Sequence, residues 1–138
     1  MRADVFIDTN ILIYAISKLP EEVTKTNQAI QILESADFGL SAQVLQEFYV
    51  VATSKISRRI DIQTAVQFLK TLLNYPVIPI DPDLVLAAIK LQTAYQISYW
   101  DAAILAAAEN LQARIVYSED LNHLQKYGAI QVINPFLG

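Results

Sequence analysis

Short apolar runs of strand length alternate with longer runs of helical spacing along the whole chain, and that alternation leaves few architectures open. DVFID (residues 4–8), FGL (38–40), PVIPI (76–80), ARIVY (113–117) and IQVI (130–133) read as strands. NILIYAIS reads as a short helix after the first of them, and EEVTKTNQAIQILES (21–35) sets Ala29, Ile30 and Leu33 at helical spacing. Ser41 can cap AQVLQEFYVVATSKI, Asp61 can cap IQTAVQFLKTLLN, and a further helix starts near Ser98 and carries WDAAILAAAENL. Asp81 followed by Pro82 is a strong helix start, because proline at the first helical position gives up an N–H the helix end cannot use. Strands separated by helices imply a mainly parallel sheet covered on both faces. The expected fold is therefore α/β: one domain over residues 1–138, a three-layer α/β/α sandwich with a mainly parallel sheet of four to five strands.

In such sheets ligands sit beyond the carboxyl ends of the strands, where strand order reverses, so polar residues just after strands become the candidates. Asp8 ends the first strand, and Asp120, in YSEDL, follows ARIVY by three residues. Glu47 has Val44 at i−3 and Val51 at i+4, and Asp101 has Ile97, Ile104 and Leu105 at similar offsets, so both helices set an acid beside their apolar stripe. Each acid also has a plain structural use. Asp8 can cap the following helix, Asp101 stands three residues after Ser98 as in a capping box, Glu47 can reach solvent or a lysine, and Asp120 can cap the turn LNHLQK.

Carboxylates brought together repel by roughly 4 kcal/mol per pair at ~4 Å in an effective dielectric near 20. Either some stay protonated or a cation sits among them. Cys is absent and the one His, His123, reads as a surface-turn residue, so the donor set is all oxygen, the kind preferred by magnesium or manganese. Such ions suit phosphodiester hydrolysis. A net charge of −4, from 10 basic and 14 acidic residues, argues against a field that attracts polyanions, but four site carboxylates would account for that whole balance.

Four segments, IDTNILIYA, VLQEFYVV, ISYWDAAILAAA and IVYSEDLNHLQKYGAIQVINP, together resemble the PIN-domain ribonucleases, specifically the VapC-type toxins of bacterial toxin–antitoxin pairs, over nearly the whole chain. The resemblance implies neighbouring first and fourth strands, which would bring Asp8 and Asp120 together. It implies metal-binding catalytic acids at Asp8, Glu47, Asp101 and Asp120, with Asn10 and Ser118 orienting them or holding metal-bound water, and Glu119 as a substitute for Asp120. It further implies Mg²⁺- or Mn²⁺-dependent endonucleolytic cleavage of RNA, such as tRNA or ribosomal RNA, blocked by a cognate antitoxin. The alternative is a non-catalytic PIN-fold interaction module acting through protein contacts. A HAD-type phosphatase would need an acid where Asn10 stands, and a phospho-receiver domain would need paired acids after the first strand and a lysine near the last.

With 54% hydrophobic and 17% charged residues, the chain is expected to leave apolar surface for a partner, a homodimer or a bound protein. Absence of cysteine excludes disulfides and thiolate chemistry. The start MRADVFID reaches an acid too soon for a signal peptide, and no apolar run approaches the ~18 to 20 residues of a membrane span, so a cytoplasmic location is expected. KISRRID (55–61) groups Lys55, Arg58 and Arg59 at a helix end, as dipole compensation or as phosphate contacts. Tyr14, Tyr49, Tyr99 and Trp100 read as core or interface residues that could also stack on bases, and His123 as a surface-turn residue.

Overall fold

Polar residues at the starts of the helical runs do the work expected of them. Asp8 takes the Thr9 N–H at the start of α1 (Thr9–Ile16), and Ser41 takes the Val44 N–H at the start of α3 (Ala42–Ala52). Asp61, Asp81 and Ser98 each accept an N–H three residues on, opening α4 (Ile62–Leu72), α5 (Pro82–Tyr95) and α6 (Tyr99–Asn110). The helix expected from residue 21 starts later. Pro20–Glu22 forms a 3₁₀ turn, and α2 runs over Val23–Ser35. This is a computed structural model, and it describes residues 1–56 and 60–137.

Among the described residues six strands form one sheet, in the order β3-β2-β1-β4-β6-β5. They are β1 (Val5–Ile7), β2 (Phe38–Ser41), β3 (Val77–Ile78), β4 (Ile115–Tyr117), β5 (Lys126–Tyr127) and β6 (Ile130–Ile133). All pairings are parallel except that of β5 with β6. The first and fourth strands are neighbours, as the family resemblance implied, with Val5 opposite Ile115 and Ile7 opposite Tyr117. The sixth strand is β5, which the sequence does not announce. Gly128, at φ 61°, turns the chain so that Tyr127 faces Ile130. PVIPI yields only the two residues of β3, since Pro76 and Pro79 lack the N–H a ladder uses.

α6 decides how tightly the layers close. Every residue from Ala102 to Ala108 is buried, and five of those seven are alanine, which lets α5 and the sheet approach closely. On the sheet, Phe6, Ile7, Phe38, Leu40 and Val116 are buried with Ile11, Leu12, Val44, Phe48 and Leu105 from the helices. Close approach also explains Gly39 in β2, where an added Cβ would lie 2.6 Å from the Leu111 side chain and 3.1 Å from the Pro76 carbonyl. No described helix is long and apolar enough to cross a membrane.

Candidate active site

At the carboxyl edge of the two central strands the chain leaves β1 through Asp8 and leaves β4 through Ser118. The ladder continues one step past β1, where the Asp8 N–H donates to the Tyr117 carbonyl at 3.0 Å. The two side chains therefore meet: the Ser118 hydroxyl donates to Asp8 Oδ2 at 2.7 Å, while Asp8 Oδ1 accepts the Thr9 N–H at 2.7 Å. Asp8 is only 6% exposed. Burial raises its pKa from 3.8 to about 6; the Ser118 and Thr9 hydrogen bonds pull the other way, and the charges of Asp120 and Glu47 add to the rise.

Ser118 has no exposed surface and uses its full capacity, donating to Asp8 and accepting the N–H groups of Asp120 (3.1 Å) and Leu121 (3.3 Å). Asn10, in the first turn of α1, fixes the same turn from the other side. Its Oδ1 accepts the Glu119 N–H at 3.1 Å, and its Nδ2 donates to Asp120 Oδ2 at 3.1 Å. Glu47 is held by two donors, Thr9 Oγ1 at 3.0 Å and Gln43 Nε2 at 2.9 Å. Gln43 also reaches the Trp100 carbonyl at 3.4 Å, tying α3 to the start of α6. Glu47 and Asp120 line a cleft of about 240 Å³ with Thr9, Asn10, Tyr14 and Val51. A larger cleft of about 470 Å³, between α2 and the ends of β4 and β6, has no carboxylate in its lining.

Asp8, Glu47 and Asp120 thus share one electrostatic neighbourhood, with Asn10 and Ser118 bonded to two of them. Asp101 stands apart from this network. It occupies the first turn of α6, with its N–H on Ser98 Oγ, and its charge acts on the Tyr127 hydroxyl, whose pKa is raised first by burial and then by Asp101. Its link to the other acids runs through its neighbour, from the Trp100 carbonyl to Gln43 and on to Glu47. Among the described residues no three of His, Cys, Asp or Glu are gathered closely enough to form a ready-made metal cage. The oxygen donors fit a hard divalent ion that keeps most of its waters and needs only one or two carboxylates, as magnesium does.

A family model for the PIN domain matches residues 5–129. The chain belongs to the PIN-domain family. A search of curated protein sequences gives no match. Solved structures share the fold of this PIN domain at low identity. A toxin–antitoxin complex from Klebsiella pneumoniae matches with a TM-score of 0.68 at 21% identity, over 96% of this chain and 98% of that one. VapC20 of Mycobacterium tuberculosis, described as a sarcin–ricin loop cleaving toxin, matches at 0.67 and 20% identity, over 84% and 89%. VapBC2 of Rickettsia felis, bound to a promoter DNA fragment, matches at 0.63 and 19% identity, over 93% and 96%.

Several groups that hold the acids of this PIN domain escaped sequence reasoning. Thr9 reads only as a polar residue in a bend, and Gln43 as one more polar helix residue, although its place four residues before Glu47 is a usable signal. Glu119 accepts Tyr14 Oη at 2.7 Å and forms a salt bridge with Lys25; these partners lie 105 and 94 residues away, beyond any local pattern. Tyr14 itself packs edge-on against Phe136, and Trp100 is 66% exposed with Tyr99 against it. Tyr49 packs against the core. The surface residue His123 accepts the Asn134 N–H on Nδ1. Arg58 and Arg59 lie outside the described residues, while Lys55 is in an exposed turn.

Proposed function

We propose that this PIN domain is a Mg²⁺- or Mn²⁺-dependent endoribonuclease and the toxin of a toxin–antitoxin pair. One observation carries the catalytic reading: a buried carboxylate, Asp8, is held between two hydrogen bonds beside the negative charges of Glu47 and Asp120, with no basic side chain bonded to any of the three among the described residues. A fold built for stability alone has little use for that arrangement, because the buried charge is destabilising until a cation joins it. Asp8, Glu47 and Asp120 would hold the ion, with Asp101 completing the group at its edge. When bound, such an ion neutralises charge on the scissile phosphate and acidifies a water for in-line attack. Ser118 and Thr9 keep Asp8 aimed and largely dry, Asn10 fixes Asp120, and Thr9 with Gln43 fixes Glu47.

RNA as substrate, of the tRNA or ribosomal class, and control by a cognate antitoxin are supported by the likeness to toxin–antitoxin structures. A homodimer is supported by Leu86 and Ile89, one helical turn apart on α5 and 66% and 45% exposed. The reading places the protein in the cytoplasm, with its RNA. That the Asp101 carboxylate has no hydrogen bond into the acid network among the described residues favours the second reading, a non-catalytic module working through protein contacts. Purified protein incubated with total RNA and Mg²⁺ or Mn²⁺ distinguishes the two. Cleavage that EDTA stops and Asp8→Asn abolishes supports the nuclease; equal cleavage by wild type and variant, or none with either ion, leaves the interaction module.

A further inference from the structure

Glu119 and Asp120 are adjacent acids on one turn, and only one of them bonds into the acid network. We propose that Lys25 and Tyr14 form a clamp that draws the Glu119 carboxylate away from the candidate metal site, leaving Asp120 to serve the ion; the proposal rests on the metal-site reading above.

Each group in the clamp is fixed by the others. Tyr14 Oη donates to Glu119 Oε1 at 2.7 Å, and Lys25 Nζ donates to Glu119 Oε2 and to Tyr14 Oη, the latter at 3.2 Å. Lys25 Nζ also lies 4.7 Å from the centre of the Tyr14 ring and 5.4 Å from that of Phe136, two aromatic faces that favour a cation. The Glu119 N–H is bonded to Asn10, so backbone and side chain are both engaged. Both carboxylate oxygens thus have donors, and the pair is half-shielded, with 40% of the Lys25 side chain and 27% of the Glu119 side chain exposed. Tyr14 lines the same cleft as Glu47 and Asp120, so Glu119, bonded to Tyr14 and next in the chain to Asp120, sits beside that cleft. Turned into it, the Glu119 carboxylate would add a fourth negative charge beside Asp8, Glu47 and Asp120, and a divalent ion would draw it in as a ligand. Lys25 and Tyr14 are accordingly positioning residues. They act through Glu119 and set how many water positions the ion keeps open.

The test is Mn²⁺ titration of the full chain, read by affinity and by the water-proton relaxation of the bound ion, which counts coordinated waters. Lys25→Met keeps the stem over the rings and removes the ionic half of the hold on Glu119, leaving only the neutral Tyr14 hydroxyl against the pull of the ion. Its bound Mn²⁺ should bind several-fold tighter and lose about one water, given an ion that ordinarily keeps several. Lys25→Met/Glu119→Gln should regain that water, and Glu119→Gln alone should match the wild-type water count. Loss of the Lys25 charge by itself tightens Mn²⁺ through the field without changing hydration, so the water count separates the clamp from a simple charge effect. Tyr14→Phe, which removes one donor and keeps the ring, should move the count in the same direction and serves if Lys25→Met does not fold. Unchanged hydration in folded Lys25→Met and Tyr14→Phe, beside normal wild-type binding, overturns the clamp and leaves the metal site standing. A changed count in Glu119→Gln alone also overturns it, since Glu119 would then already be a ligand. Absence of Mn²⁺ binding in the wild type removes the metal site and the clamp with it.

Discussion

Asp8 costs the folded chain stability while it is charged. Its folded pKa of about 6 lies above the value of 3.8 expected when exposed, so between those values the native state holds more protons than the unfolded chain. Stability therefore falls as pH rises from about 4 to about 6, by something on the order of 3 kcal/mol if the whole shift is expressed. Thermal melts in EDTA should show Tm falling across that window, with a flatter profile for Asp8→Asn. On the metal-site reading, adding Mg²⁺ or Mn²⁺ should raise Tm at pH 7 more than at pH 5, because an ion held by the acids would bind the charged native form. Ser118→Ala strands an Asp8 oxygen and two backbone N–H groups in the interior, and should lower stability by about 1–3 kcal/mol in denaturant titration. At this scale Asp8 was legible as a candidate, because a polar residue directly after a buried strand has few reasons to be there. Its bond to Ser118 was not legible in any local pattern: the two are 110 residues apart, only the family resemblance pointed to Ser118 as an orienting residue, and only the fold joins them.

Helix starts were the most readable elements, because a cap is a contract between residues three apart. Ser41, Asp61, Asp81 and Ser98 all bond as their spacing indicated. Strand limits were less readable. The two-residue β5 exists because β6 offers a partner and Gly128 permits the turn, and neither condition leaves a local apolar pattern. Between elements, Gln43 joins α3 to the start of α6 through the Trp100 carbonyl. Gln43→Met removes a donor from Glu47 and the contact with Trp100. Its expected effect is reduced RNA cleavage, with folding stability lowered by only about 1 kcal/mol. The contrast is Gly39→Ala, whose new methyl group meets Leu111 and Pro76, neither of which bonds to any of the acids. That variant should lose about 1–3 kcal/mol in chemical denaturation and keep its activity per folded molecule.

On the scale of the molecule, the reversal of strand order between β1 and its neighbours β2 and β4 places Asp8 at the head of the sheet, as expected for an α/β fold. The surface was only partly legible: composition pointed to exposed apolar residues but not to their location. Leu86 and Ile89 share a face of α5. Replacing both by lysine should lower the sedimentation coefficient if that face joins two copies, and leave it unchanged if it does not. The pairing of β1 with β4 also orders events in time. Ser118 and Asp120 emerge from the ribosome long after Asp8, and their contacts with Asp8 and Asn10 span 110 residues. A nascent chain has no assembled centre to offer until β4 and the turn after it have been made, so on the nuclease reading everything from β1 to that turn is synthesised before any RNA within reach can be attacked.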